Sequence, residues 1–200
     1  MRKIVVIEHV TLDGVMQAPG RPDEDDRGGF DHGGWAHART DEVMGRKMGE
    51  GMAQGGPLLF GRRTYEDFFS FWPNQTDNPY TEVLDNAEKY VASTTLKEPL
   101  PWSNSTLLEG DAAEAVAELK EQPGKDFGVL GSGQLVQSLM RRDLVDEFVL
   151  MIHPLVLGTG RRLFPDGSAF AELQLTDSTP TTTGVVIAKY QASGGSGADV

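Results

Sequence analysis

The sequence predicts a layered α/β domain whose sheet is mixed rather than wholly parallel. Three observations carry this expectation. Short apolar, β-branched runs alternate with helix-like segments along most of the chain, the pattern of strands and helices stacked in layers. Two of these runs, Leu58-Leu59-Phe60 and Phe127-Gly128-Val129-Leu130, lead into a glycine and then a helix pattern. The last two apolar runs are joined by a connection short enough for an antiparallel pair.

Taken in order, Ile4-Val5-Val6-Ile7-Glu8-His9-Val10 reads as a central strand buried on both faces, ended by the turn Leu12-Asp13-Gly14. A glycine-rich, acidic loop over 19–34 follows, long enough to border a site. A helix is expected over 35–51, with Trp35, Ala38, Val43, Met44 and Met48 as its apolar stripe. The Leu58 strand leads into a helix from about Arg63 that stops at Trp72-Pro73, because proline cannot continue it. Tyr90-Val91-Ala92-Ser93 and Ser105-Thr106-Leu107-Leu108 read as strands, and Asp111 caps an alanine-rich helix over 112–119. After the Phe127 strand comes a helix through Leu135, Leu139 and Met140. Phe148-Val149-Leu150-Met151-Ile152 is a late buried strand, and 170–175 with 184–190 form the closing pair. One domain is expected over 1–191, with a small, polar, flexible tail at 192–200.

The formal charge is −12 over 200 residues. Nucleic acid and anionic membranes are repelled by such a surface, so the expected partner is a small-molecule substrate, and any phosphate site must be a local basic patch. Arg62, Arg63, Arg161 and Arg162 are the candidates. The absence of cysteine excludes disulfides, thiolate nucleophiles and zinc–thiolate clusters. Neither the N-terminal apolar run nor the one at Val149 suits a signal peptide or a span, so a cytoplasmic protein is expected. Asp23-Glu24-Asp25-Asp26 fails the calcium-loop pattern at Arg27 and Gly34, and the scattered histidines fit no zinc spacing; no metal is expected.

The sharper signals are two candidate phosphate cradles. In Leu130-Gly131-Ser132-Gly133-Gln134-Leu135, glycines admit a tight turn, leave space for a phosphate and present bare amides at the positive end of a helix. In Gly61-Arg62-Arg63-Thr64 the next helix start carries two cations and a hydroxyl. Val136 stands where the dinucleotide fingerprint has its third glycine, and no Gly-Lys-Ser/Thr ending marks a triphosphate loop. Either motif alone is equally an ordinary turn; the pair favours a dinucleotide.

Gly61-Arg62-Arg63-Thr64-Tyr65-Glu66, Tyr90-Val91-Ala92-Ser93-Thr94-Thr95-Leu96, Gly131-Ser132-Gly133 and the run from Asp146-Glu147 through His153-Pro154-Leu155-Val156-Leu157-Gly158-Thr159-Gly160-Arg161-Arg162-Leu163-Phe164 follow Thr11-Leu12-Asp13-Gly14 in one order. The set resembles dihydrofolate reductase-like proteins, and most closely the C-terminal reductase domain of the bifunctional deaminase-reductase of riboflavin synthesis and its stand-alone bacterial relatives. The resemblance implies a three-layer fold with a mainly parallel sheet, helices on both faces and NADPH across the strand ends. It places Arg62 near the adenosine 2′-phosphate, and Gly61, Arg63 and Thr64 near the pyrophosphate. Ser93 and Thr94 fall beside the adenosine, and Leu130, Gly131, Ser132, Gly133, Gln134 and Leu135 form the other cradle. Many relatives carry arginine where Thr94 stands, which throws more of the 2′-phosphate grip onto Arg62.

On the substrate side, Asp13 and Asp41 are the candidate catalytic carboxylates; a turn residue and an exposed helix carboxylate are the competing readings. Gly158, Gly160 and Arg161 are candidates for a phosphorylated substrate, against a solvated turn. His153, alone at a strand end, reads as structural. The resemblance implies an NADPH-dependent reductase of a pteridine-like or aminopyrimidine compound, similar to 5-amino-6-(5-phosphoribosylamino)uracil reductase, and a homodimer. The alternatives are a dihydrofolate reductase and a non-catalytic nucleotide sensor.

Overall fold

The structure is a computed structural model that describes residues 1–193. Its strands are β1 (Ile4–Thr11), β2 (Leu58–Gly61), β3 (Lys89–Ala92), β4 (Ser105–Leu108), β5 (Phe127–Leu130), β6 (Glu147–His153), β7 (Leu173–Pro180) and β8 (Val186–Ala192). The helices are α1 (Glu42–Gln54), α2 (Arg62–Phe71), α3 (Pro79–Asn86), α4 (Ala112–Glu121) and α5 (Gly133–Met140). All eight strands form one sheet in the order β4-β3-β2-β5-β1-β6-β8-β7. Pairing is parallel from β4 through β6, and β8 runs antiparallel to both β6 and β7. No helix among the described residues is long and apolar enough to cross a membrane.

The expected α/β layering with its antiparallel closing pair is therefore present. Alternation along β1 builds the two layers. Ile4, Val6 and Val10 pack with Ala113 and Val116 of α4 and Leu135, Val136 and Leu139 of α5. Ile7 packs instead with Met44 of α1, Met151 and Val185. A third cluster, Phe60, Tyr65, Leu84, Val91 and Trp102, seats α2 and α3. All six parallel strands, β1 to β6, deliver their C-terminal ends to one edge of the sheet, the edge where open α/β sheets bind ligands.

Several elements differ from the sequence expectation, the closing strand expected over 184–190 among them, since it runs from Val186 to Ala192. The helix expected over 35–51 is divided into a 3-10 turn (His37–Arg39) and α1. Asp41 causes the break: it is extended (φ −136°, ψ −179°), and its carboxylate accepts the amide of Met44. α3 is an additional helix, started by Asn78 accepting from the Tyr80 amide with Pro79 in the first turn. β7 begins at Leu173 rather than 170, since its pairing with β8 opens at Leu173 opposite Ala192, leaving Phe170 exposed. The domain boundary expected at 191 falls inside β8: the Ala192 amide donates to the Asp146 carbonyl and the Ser193 amide to that of Glu172. The rest of the expected tail, 194–200, lies outside the described residues.

α1 continues past Gly51 and holds Gly45, Gly49 and Gly51, where an added Cβ meets nothing within 4 Å. Interior helical glycine costs about 1 kcal/mol relative to alanine. Gly49→Ala is therefore expected to stabilise the protein by roughly 0.5–1 kcal/mol, read as a rise in the denaturant midpoint at unchanged slope.

Candidate active site at the C-terminal edge of the sheet

Three helices begin with a side-chain cap and two do not. Asp41, Asn78 and Asp111 accept first-turn amides of α1, α3 and α4. α2 and α5, which start at Gly61 and Ser132, have no side-chain cap. The amides of Arg62, Arg63 and Thr64, and of Gly133, Gln134 and Leu135, are thus first-turn donors with no intrahelical acceptor. Because β2 and β5 are neighbours, these two helix starts lie side by side.

They are also braced together. The Gly61 amide donates to Ser132 Oγ (2.9 Å), Ser132 Oγ–H donates to the Leu130 carbonyl (3.1 Å), and the Ser132 amide donates to Thr64 Oγ1 (3.0 Å). Ser132 therefore serves as a brace between the loops instead of capping its own helix. The loop turns through consecutive left-handed residues, Gly131 (φ +57°) and Ser132 (φ +61°). Two bare, positively polarised helix ends fixed against each other could hold a double anion such as a pyrophosphate. The residues anticipated for that role, Gly61, Arg63, Thr64 and Leu130 through Leu135, are brought together here.

The adenosine-side candidates border the same cradle. Gly61 pairs with Ala92 of β3, so Ser93 and Thr94 follow at the level of the α2 start. Ser93 Oγ accepts the amides of Thr95 (3.1 Å) and Leu96 (3.0 Å), which shapes the turn, and Thr94 is exposed. Arg62 is partly exposed, 3.6 Å from Glu66 one turn on. Such an exposed pair is weak, so the guanidinium is free to exchange its partner for a phosphate.

The two carboxylates singled out on the substrate side hold structure. Asp13 accepts Thr11 Oγ1–H (2.6 Å), the Leu157 amide (3.2 Å) and the Gly158 amide (2.8 Å). These bonds, that from Thr11 foremost, hold its pKa below the usual carboxylate range. Asp41 lies before α1 rather than on a helix; besides the Met44 amide it accepts the Thr182 amide (2.6 Å) and hydroxyl (2.7 Å), tying α1 to the β7–β8 turn. The Met44 and Thr182 bonds lower its pKa too.

The loop carrying Gly158, Gly160 and Arg161 rests on the segment after β1. Its backbone bonds run from Leu12 to Leu155, Met16 to Arg161 and Leu163 to Gly14, and the Arg161 amide donates to Gln17 Oε1 (2.9 Å). Gly160 lies against Phe30 and Val15, where an added Cβ would sit 2.7 and 2.8 Å away. Gly158 and the Arg161 side chain are exposed at the rim. The 19–34 segment is packed down: Gln17 donates to the carbonyls of Asp25 and Arg27, Trp35 Nε1–H donates to the Gln17 carbonyl, and Arg21 pairs with Asp67 of α2 at 2.5 Å.

The structure adds residues that the sequence reading did not assign to the site. His9 Nδ1 and His153 Nε2 are hydrogen bonded at 2.9 Å near the ends of β1 and β6, and Trp35 meets His153 edge-on, 5.1 Å between centroids. Burial, then the neighbouring His153, pushes His9 down to about 3; burial, then Arg39, pushes His153 down to about 4. Glu8, on the opposite side of β1 from His9, is 3 % exposed. Burial, with Glu24 opposite, raises its carboxyl well above the usual range. The one signal for these groups was parity: Glu8 interrupts the apolar run at a position that alternation assigns to the core. No group of three or more His, Asp or Glu able to hold a metal occurs among the described residues.

Comparison with known proteins gives a consistent picture. The family model described as "RibD C-terminal domain" matches residues 2–187. Uncharacterized protein YyaP of Bacillus subtilis (strain 168) is 30% identical over 200 residues, covering 96% of each chain. Uncharacterized protein YwjB of the same organism is 33% identical over 70 residues, 35% of this chain and 40% of its own. A crystal structure from Shewanella sp. PV-4, named "Putative riboflavin biosynthesis protein", superposes with a TM-score of 0.69 at 23% identity, covering 95% of this chain and 98% of the other. A pyrimidine reductase-like protein from Corynebacterium diphtheriae superposes with a TM-score of 0.60 at 11% identity, over 96% and 92% of the two chains.

Proposed function

Because the chain belongs to the RibD C-terminal domain family, we propose that it is an NADPH-dependent reductase of a pteridine-like or aminopyrimidine compound, similar to the 5-amino-6-(5-phosphoribosylamino)uracil reductase of riboflavin synthesis. The observation that carries this reading is the pair of uncapped, mutually braced helix starts at α2 and α5. Their donor set fits a dinucleotide pyrophosphate, and Arg62, with Ser93 and Thr94, borders it on the β3 side where the adenosine end belongs. The dinucleotide supplies the hydride when bound. The chain's own residues bind and orient: first-turn amides hold phosphate oxygens, and the exposed Arg161 side chain, on the rim loop with Gly158, offers a cation to a phosphorylated substrate. Asp13 positions that rim loop. The reading includes a homodimer in the cytoplasm.

Titration with NADPH and, separately, NADH tests it. Tight NADPH binding, followed by its oxidation when an aminopyrimidine or dihydrofolate is added, is the expected result. Failure to bind either dinucleotide overturns the reading. Arg62→Ala is expected to weaken NADPH, relative to NADH, by about 1–3 kcal/mol, the worth of a charged hydrogen bond. Equal loss for both dinucleotides would remove Arg62 from the 2′-phosphate.

A further inference from the structure

Three buried side-chain polar atoms among the described residues lack a hydrogen-bond partner: Glu8 Oε1, Ser105 Oγ and His153 Nδ1. Ser105 belongs to β4 at the far edge of the sheet, and His153 already spends Nε2 on His9. Glu8, on the central strand β1, leaves its buried Oε1 without a hydrogen-bond partner among the described residues. A buried polar group left unpaired destabilises the fold, so a ligand that pairs it gains affinity in return.

The position of Glu8 narrows what the ligand is. The β1–β5 register ends at Ile7 opposite Leu130, so Glu8 stands level with Gly131, the first residue of the cradle loop. Alternation puts its side chain on the face of Ile4, Val6 and Val10, the face covered by α5. Met16 packs on the same cluster and reaches the first residue of α5, its sulfur 2.7 Å from where a Cβ on Gly133 would be. In the dinucleotide reading the adenosine lies on the β3 side of the cradle. The other end therefore extends past β5 towards β1, where Glu8 is.

We propose that Glu8 pairs with the carboxamide of the nicotinamide ring, as the residue that fixes the rotation of that ring at the cradle's β1 side. The inference rests on the reductase reading above. Its chemistry is set by the surroundings. The charge felt at Glu8 comes from another carboxyl, Glu24, so an anionic ligand group would be repelled. Burial favours the neutral form of Glu8, which offers one donor and one acceptor in a plane. A primary carboxamide presents the complementary acceptor and donor, closing two hydrogen bonds at once.

Equilibrium binding of three probes tests the proposal: NADPH, its 3-acetylpyridine analogue, which lacks the amide N–H, and adenosine 2′,5′-bisphosphate, which lacks the nicotinamide. Glu8→Leu is expected to weaken NADPH on the order of 10-fold or more and to leave the bisphosphate unchanged. Glu8→Gln, which keeps a donor and an acceptor, is expected to retain most of the NADPH affinity. The acetylpyridine analogue is expected to bind the unaltered protein more weakly than NADPH and to be less sensitive to Glu8→Leu. NADPH binding unaffected by Glu8→Leu would overturn this inference and leave the reductase reading standing. Parallel loss of the bisphosphate would assign Glu8 to the fold and overturn it too. No NADPH binding by the unaltered protein would overturn both.

Discussion

Gly131→Val is expected to abolish binding of NADPH and NADH alike, by on the order of 100-fold or more, and to destabilise the fold by about 1–3 kcal/mol. Two costs combine. Gly131 has φ +57°, a left-handed conformation that a β-branched residue resists. A Cβ there would lie 2.9 Å from Thr64 Cγ2 and 3.1 Å from Thr64 Oγ1. Relief requires Thr64 to move, and Thr64 Oγ1 is the acceptor that holds the Ser132 amide. The brace between α2 and α5 then opens, and the two bare helix ends lose their fixed spacing. The sequence reading places the obstruction in the space for a phosphate; the structure places it one step earlier, at Thr64. Calorimetric titration with each dinucleotide, beside a denaturant melt, checks both effects. A valine variant that binds either dinucleotide normally would remove the brace from the binding site.

The second large effect is on the acid side. His9 and His153 are neutral in the fold, with values near 3 and 4, whereas both take up protons below about 6.5 when the chain unfolds. The unfolded state thus binds more protons between those limits, and the stability tied to this pair falls as pH drops below 6.5. Glu8 and Glu24 act in the opposite sense, since their raised values make the fold the better proton acceptor as pH falls. A difference measurement separates the contributions. Between pH 7 and pH 5 the unfolding free energy of a His9→Gln, His153→Gln double variant is expected to improve on that of the unaltered protein by on the order of 2–4 kcal/mol. A constant difference across that range would show that the two imidazoles take up protons in the fold as they do in the unfolded chain.

The fold was legible where local chemistry decides it. β4 lies at 105–108 as read, and the Asp111 cap starts α4 where a short acceptor precedes an alanine run. The residues of the two candidate helix starts, which the β2–β5 pairing makes adjacent, were legible because glycine beside a cation or hydroxyl is a signal carried by a few adjacent residues. What escaped depends on partners far along the chain. Asp41 looks like a helix carboxylate until Thr182, 141 residues away, is found on its other oxygen. The His9–His153 bond spans 144 residues and needs the β1–β6 register to exist. α3 escaped for a different reason: Asn78-Pro79 is as good a turn as a helix start, and only the burial of Leu84 against Tyr65 and Trp102 decides between them.

The missing caps on α2 and α5 bear on any attempt to make this protein more robust. Aspartate or serine at Gly61 is the substitution that a screen for heat resistance would favour, since capping a bare helix start is worth about 0.5–2 kcal/mol. The new side chain would occupy the amides that the proposed function gives to the dinucleotide, and a carboxylate there would repel its phosphates. Robustness and affinity thus compete for the same few N–H groups, and a thermostable descendant selected on melting temperature alone would be expected to arrive inactive.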